Sequence, residues 1–281
     1  MPTIPTIALN DGTDFPELGL GTYNLRGDDG VSAIVAAISS GYRLLDTAVN
    51  YENEREVGEA VRRAGDELGV TRDDLLVTTK IPGRHHGYDA AFASAEASLA
   101  ALGLARIDLH LIHWPNPSVD KYVETWQAMI ALREAGLVGS IGVSNFTEAM
   151  LTRLIGETGV TPAVNQVELH PYFPQGALRD FHREHGIRTE SWSPLARRSE
   201  LLTEQAVNDA AAAHEVSATQ VVLRWHVQLG STPIPKSATP ERQVENADVF
   251  GFELSDAEVA SISGLERGRL WDGDPNTHEE M

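Results

Sequence analysis

Eight short apolar segments, each followed by a helix-forming segment, alternate without interruption along this chain, and nothing else in it restricts the fold so severely. The apolar segments are 18–22, 42–46, 75–80, 107–113, 138–144, 163–168, 187–192 and 232–235. Helical patterns follow after Asp28-Asp29 and at 53–65, 89–102, 120–134, 147–157, 176–184, 203–228 and 240–247. The apolar segments are hydrophobic on both faces, as parallel strands covered by helices must be. Eight strand–helix units in about 230 residues predict an α/β fold, a closed (β/α)8 TIM barrel. Ahead of it, 1–17 reads as a β-hairpin around Asn10-Asp11-Gly12. The barrel occupies 18–247, and 248–281 holds a capped helix and a Gly- and Asp-rich loop expected to lie over one barrel mouth. The whole of 1–281 is expected to form a single barrel domain.

Charge and composition narrow the function. Forty-one acidic against 22 basic residues leave a net charge of −19, which would be repelled by the phosphates of nucleic acid, and no basic run offsets it. No apolar window approaches the length of a membrane span, and the N-terminus lacks the basic start and apolar core of an export signal. A cytoplasmic location is therefore expected, with neither nucleic acid nor membrane as partner. Without cysteine there is no disulfide, thiolate metal site or cysteine nucleophile. Only Lys80, Lys121 and Lys236 among the 22 basic residues are lysines, so a surviving lysine invites a reason.

In such a barrel, catalytic groups project from the C-terminal ends of the strands. Those positions here hold Asp46, Lys80, His113, Ser144-Asn145, Gln166, Trp192 and Lys236. Tyr51 follows Asp46 by five residues, close enough to fold back over the same mouth. A phenol is a poor acid at neutral pH, but an adjacent ammonium stabilises the phenolate, and an Asp holds that ammonium charged and oriented. Such a tyrosine can protonate a developing alkoxide while an imidazole orients the carbonyl oxygen. The set suits carbonyl reduction, whose hydride must come from a nicotinamide or flavin because no side chain supplies one. Gly19-Leu20-Gly21 begins like a dinucleotide fingerprint, but Asn24 stands at the third glycine position. An alternative cofactor site lies on the later strands. Ser144, Asn145 and Gln166 can bond a carboxamide, and Trp192 offers a flat face. Lys236, Ser237, Thr239 and Arg242 surround a helix start suited to a phosphate.

Gly41–Ala48 (GYRLLDTA) with Tyr51, Asn53-Glu54 and Val57-Gly58, then Ile141–Phe146 (IGVSNF), then Ile234–Ser237 (IPKS) with Arg242, Glu245 and Asn246, resemble in order the three signatures of the aldo-keto reductases. The likeness runs from the hairpin to Val249 and is strongest to bacterial members, with Trp192 where many relatives have tyrosine. The resemblance implies Asp46, Tyr51, Lys80 and His113 as the catalytic tetrad, with Tyr51 the proton donor. It implies NADPH (NADP+) as cofactor, with Ser144, Asn145, Gln166 and Trp192 at the nicotinamide and Ser193 and Leu195 in a loop over the pyrophosphate. Lys236, Ser237, Thr239 and Arg242 would hold the 2′-phosphate, and Glu245 and Asn246 the adenine. A small-molecule carbonyl substrate would be framed by Tyr23, Trp114 and Trp271. Gly139, Pro82 and Ala196 depart from the family pattern. The last replaces a common glycine, which leaves the conformation of its loop open.

Competing readings carry less. His182/His185 and His110/His113 are each three apart, but residues three apart on a strand face opposite ways and the helix pair lies outside the barrel, so no metal is expected. His85-His86 read as solvated. A Schiff-base lyase would need a neutral Lys80, against which Asp46 argues, and a cofactor-binding regulatory subunit would bind NADPH without turning it over. No long apolar stripe is exposed, which favours a monomer.

Overall fold

The computed structural model describes residues 3–197, 199–271 and 273–280. The hairpin pairs β1 (Thr6–Ala8) with β2 (Asp14–Pro16) antiparallel, in the register Ile7↔Phe15. Eight further strands follow: β3 (Leu20–Gly21), β4 (Leu44–Asp46), β5 (Leu76–Ile81), β6 (Ile107–Ile112), β7 (Val138–Ser144), β8 (Val164–Glu168), β9 (Arg188–Trp192) and β10 (Ser231–Pro233). They pair in parallel in chain order, from β3 to β10. The sheet's two edges meet through Gly19 N–H to the Pro233 carbonyl (3.1 Å) and Gly21 N–H to the Pro235 carbonyl (3.2 Å), which closes the barrel. A Cβ on Gly21 would stand 2.9 Å from the Ile234 carbonyl oxygen, so the seam closes only over glycine. The last strand is shorter than its sequence predicts, since two of the four residues in 232–235 are prolines, which donate no ladder bond.

The crossovers are α1 (Gly27–Ser39), α2 (Glu54–Leu68), α3 (Tyr88–Leu102), α4 (Tyr122–Glu134), α5 (Glu148–Thr158), α6 (Gly176–His185), the pair α7 (Gln205–His214) and α8 (Ala218–Gln228), then α9 (Pro240–Ala247) and α10 (Asp256–Ser263). Their apolar faces cover the outer faces of the strands, with Ile34, Ile38, Val57, Trp126 and Met129 in one continuous cluster. Leu9 and Phe15 of the hairpin pack with Leu44, Leu76, Leu109 and Ile234, so the hairpin plugs the N-terminal end of the barrel and leaves the opposite mouth for chemistry. Among the described residues no helix is long and apolar enough to cross a membrane.

Helix α2 shows how sequence and packing agree. Glu54 and Glu56 occupy its first turn, where the helix dipole favours negative charge, and Gly69 ends it in the left-handed region at φ 68°. Val57, Gly58, Ala60, Val61 and Ala64 face inward, while Arg62 and Arg63 pair with Glu59, Asp66 and Glu67 on the solvent side. A Cβ on Gly58 would lie 2.0 Å from the Leu102 carbonyl oxygen at the end of α3. Gly58→Ala is expected to force α2 and α3 apart, costing about 2 kcal/mol as overpacking does. Thermal unfolding should show a fall of several degrees despite alanine's better helix propensity.

Candidate active site

Successive barrel strands deliver polar side chains to the mouth opposite the hairpin. Asp46 ends β4, Lys80 is the penultimate residue of β5, and His113 follows β6. Asp46 and Lys80 are wholly buried, and an ion pair there survives only if both partners are fully satisfied. They are. Lys80 Nζ donates to Asp46 Oδ1 (2.7 Å), Asp46 Oδ2 (2.7 Å) and the Thr47 carbonyl (2.8 Å), which uses all three of its protons. Asp46 Oδ2 also accepts from the Gln166 side-chain nitrogen at 2.8 Å.

Tyr51 closes over this pair from a short turn, Val49–Tyr51. Asn53 holds the turn in place: its Nδ2 donates to the carbonyls of Thr22 (2.8 Å) and Leu25 (2.9 Å), and its Oδ1 accepts from Thr47 Oγ1 (2.7 Å). Lys80 Nζ sits 5.0 Å from the centre of the Tyr51 ring, and the His113 ring meets Tyr51 edge-on at 6.0 Å. The four residues expected to act together are thus brought together. One expectation is corrected: the Tyr51 pKa lies above that of a free phenol, because burial outweighs the opposing pull of Lys80 while Asp46 and Glu280 add to the rise. Tyr51 therefore keeps its proton at neutral pH, and Lys80 acts by stabilising the phenolate as that proton leaves. Burial works to discharge Lys80, but Asp46, Tyr51 and Glu190 overcome it and its pKa is raised, so it stays an ammonium.

The residues assigned to a nicotinamide form a preassembled network. Trp192 Nε1 donates to Asn145 Oδ1 (2.8 Å), Asn145 Nδ2 donates to the His113 carbonyl and to Ser144 Oγ (both 3.0 Å), and Ser144 Oγ donates to the Gln166 carbonyl (2.9 Å). Asn145 adopts φ 64° to do so. Gln166 gives its amide nitrogen to Asp46 Oδ2 and Glu190 Oε2 (2.8 Å each), so its side-chain oxygen has no partner among the described residues. After β10, Thr239 precedes α9, and Ser237 Oγ accepts from the Thr239 N–H (3.1 Å). Lys236 and Arg242 are exposed and have no ion-pair partner among the described residues; Asn246 is buried and Glu245 half-buried nearby. Ser193 (φ 50°) and Ala196 (φ 47°) both take left-handed backbone, which is where the loss of the family's glycine at 196 is felt. Arg198, in the same loop, lies outside the described residues.

The segment after α10 does cover this mouth. Glu168, wholly buried at the end of β8, accepts from the Leu270 N–H (2.8 Å) and Arg269 Nη1 (3.0 Å), and Trp271 packs 5.6 Å from Trp192. The Trp114 and His278 rings lie 4.1 Å apart at a 44° tilt, and Tyr23, 46% exposed, meets Tyr51 edge-on at 5.2 Å. Tyr23, Trp114 and Trp271 thus stand on the rim assigned to them. The Glu280 carboxylate reaches inward to His113, a contact the sequence reading did not foresee. His86 is also corrected: it is buried, not solvated, and burial pushes its pKa down to about 4. The ring nitrogens of His182 are taken up by Asn165 and Thr189.

Glu190 was missed as well, although an acid inside an apolar strand was a visible signal. It is wholly buried, and desolvation, with Asp46 beside it, raises its pKa.

A model of the aldo/keto reductase family matches residues 17–267. The 2,5-diketo-D-gluconic acid reductase B of a Corynebacterium species is 73% identical over 281 residues, covering 100% of both chains. Among solved structures, an aldo/keto reductase from Brucella melitensis is 46% identical with a TM-score of 0.89, covering 94% of this chain and 100% of its own. A mutant of Gox0644 in complex with NADPH is 41% identical with a TM-score of 0.92, covering 99% of both chains.

The Glu190 shift has a measurable consequence. Its folded pKa of about 8 exceeds the unfolded 4.5, so the folded state binds the extra proton and stability falls as pH rises between those values. Urea unfolding from about pH 5 to about pH 8 should show wild type losing ground steadily to Glu190→Gln, which carries no such proton.

Proposed function

The chain belongs to the aldo/keto reductase family, and from that premise we propose that it is an NADPH-dependent carbonyl reductase in which Tyr51 donates the proton. The observation that carries this reading is the buried Lys80 ammonium, held by Asp46 and lying against the Tyr51 ring at 5.0 Å. Bound NADPH supplies the hydride. The donor set fits that cofactor: the unpartnered side-chain oxygen of Gln166 can accept from a carboxamide, and Trp192, fixed by Asn145, offers a flat face. Lys236 and Arg242, two cations without an ion-pair partner among the described residues, flank the start of α9 with Ser237 and Thr239, a setting suited to a phosphomonoester. In this reading Ser193 and Leu195 cover the pyrophosphate, and Asn246 and Glu245 hold the adenine.

The residues divide the remaining work. His113 orients the carbonyl oxygen by hydrogen bonding, and Tyr51 Oη gives up its proton as negative charge develops on that oxygen. The Lys80 ammonium stabilises the resulting phenolate, and Asp46 keeps Lys80 charged and in place. Tyr23, Trp114 and Trp271 wall the substrate and exclude water. The substrate class we propose is small aldehydes, dicarbonyls and keto-sugar acids, among them 2,5-diketo-D-gluconate, which the name of the Corynebacterium relative suggests. We further propose that the protein acts as a cytoplasmic monomer, with its barrel and covering segment as one domain.

Loss of reduced-nicotinamide absorbance with methylglyoxal or 2,5-diketo-D-gluconate tests the reading. Tyr51→Phe should lower kcat/KM by roughly 10²- to 10⁴-fold, the usual worth of a positioned proton donor, and leave the NADPH Kd in place; a variant turning over at the wild-type rate would remove Tyr51 from the chemistry. Separately, fluorescence titration of the double variant Lys236→Ala with Arg242→Ala should show NADPH binding weakened by roughly a hundredfold or more while NADH is spared, since each charge-assisted bond lost is worth about 1.5–3 kcal/mol.

A further inference from the structure

The acid of residue 280 occupies a position that none of the signature residues explains. Its side chain is only 10% exposed, and its Oε1 stands 2.7 Å from His113 Nδ1. The same oxygen accepts from Asn50 Nδ2 at 2.6 Å, and Oε2 accepts from the Gly83 N–H at 3.1 Å. Burial pushes the Glu280 pKa up, but His113, the Gly83 N–H and the Asn50 amide outweigh it, so the net shift is downward and the group is a carboxylate at neutral pH.

The backbone around it is fastened just as firmly. Asn116 grips residue 280 from both sides, donating from Nδ2 to its carbonyl (2.7 Å) and accepting its N–H at Oδ1 (3.1 Å). The Ser118 N–H donates to Glu279 Oε1 (2.7 Å), and the His278 ring packs against Trp114. Room for this segment exists because residue 83 is glycine: a Cβ there would lie 2.0 Å from Asn116 Nδ2 and 2.3 Å from the Glu280 carbonyl oxygen. One carboxylate therefore joins the loop after β4 (Asn50), the loop after β5 (Gly83) and the residue after β6 (His113). Those three loops frame Tyr51.

We propose that Glu280 is a positioning residue for carbonyl reduction: its carboxylate sets the rotation of the His113 ring and locks the Asn50 and Gly83 loops around it. This rests on the Tyr51–His113 reading given above. An imidazole free to rotate about its side-chain bonds faces a substrate oxygen only part of the time, and a carboxylate lodged 2.7 Å from Nδ1 removes that freedom, as an outer carboxylate does for histidines in other sites. The alternative is that the carboxylate stands in the substrate's place, as a competitor to be displaced. The two make opposite predictions.

Glu280→Ala should lower kcat about tenfold to a hundredfold, the scale of a slightly misplaced catalytic group, with KM for methylglyoxal nearly unchanged. Added acetate should restore part of the lost kcat in Glu280→Ala and do nothing for wild type. Glu280→Gln, which keeps a side chain of the same length against the ring and an oxygen for the Gly83 N–H, should keep more activity than Glu280→Ala. An unchanged melting temperature and NADPH Kd in both variants would separate loss of positioning from loss of fold or of cofactor binding. A Glu280→Ala enzyme with undiminished kcat and lower KM, inhibited by acetate in competition with substrate, would overturn the proposal. Absence of wild-type turnover would instead overturn the reductase reading.

Discussion

The Lys80–Asp46 ion pair is the constraint around which the barrel mouth is arranged. Two charges removed from water cost several kcal/mol each, and their mutual attraction recovers this only when every remaining hydrogen-bonding site is filled. Lys80 fills its three with both Asp46 oxygens and the Thr47 carbonyl, and Gln166 completes Asp46. A hydrophobic pair of similar volume would serve stability at least as well, so the charges are better understood through what they do to Tyr51. Satisfying them dictates much else: β4 and β5 must be neighbours in the register Asp46↔Thr78, and β8 must bring Gln166 across the barrel.

From that pair a polar chain runs around the mouth. Gln166 links Asp46 to Glu190, and the Gln166 carbonyl accepts from Ser144, which in turn accepts from Asn145; Asn145 then holds Trp192 and the His113 backbone. Because each member's donors are spent on its neighbours, the groups left over are few and their directions are set in advance. Pre-set polarity of this kind costs no reorganisation when charge develops on a substrate. The same economy appears at the far rim, where Lys236 and Arg242 have no ion-pair partner among the described residues in a protein whose net charge is −19. A local cationic site can hold a phosphate there although the molecule as a whole is acidic, since beyond about 10 Å salt screens the rest.

Much of the site was legible because barrel geometry converts sequence position into spatial position. A polar residue at the end of an apolar strand has one place to go, and Asp46, Lys80, His113, Gln166 and Trp192 all went there. Tyr51 was legible from the short turn after Asp46. What strand order does not report is depth of burial: the ammonium's pull on Tyr51 has the expected sign but is the smaller effect, and His86 is buried where a loop histidine would ordinarily be solvated. Glu168 and Glu190 lie on strands whose pattern says only that they are inside; their partners come from residues 101 and 24 positions away.

By itself, then, the sequence determined the eightfold strand–helix order, the end of the barrel that carries the chemistry and the identities of the residues at each strand end. Each of these follows from local periodicity and from the fixed direction of a parallel strand. The tertiary structure alone decided how the 270–280 segment returns over the mouth and puts Glu280 against His113, 167 positions earlier in the chain. It also decided which way burial and neighbouring charge tip each titratable group. Those outcomes depend on three-dimensional distances and on exclusion of water, quantities that a linear order of residues does not contain.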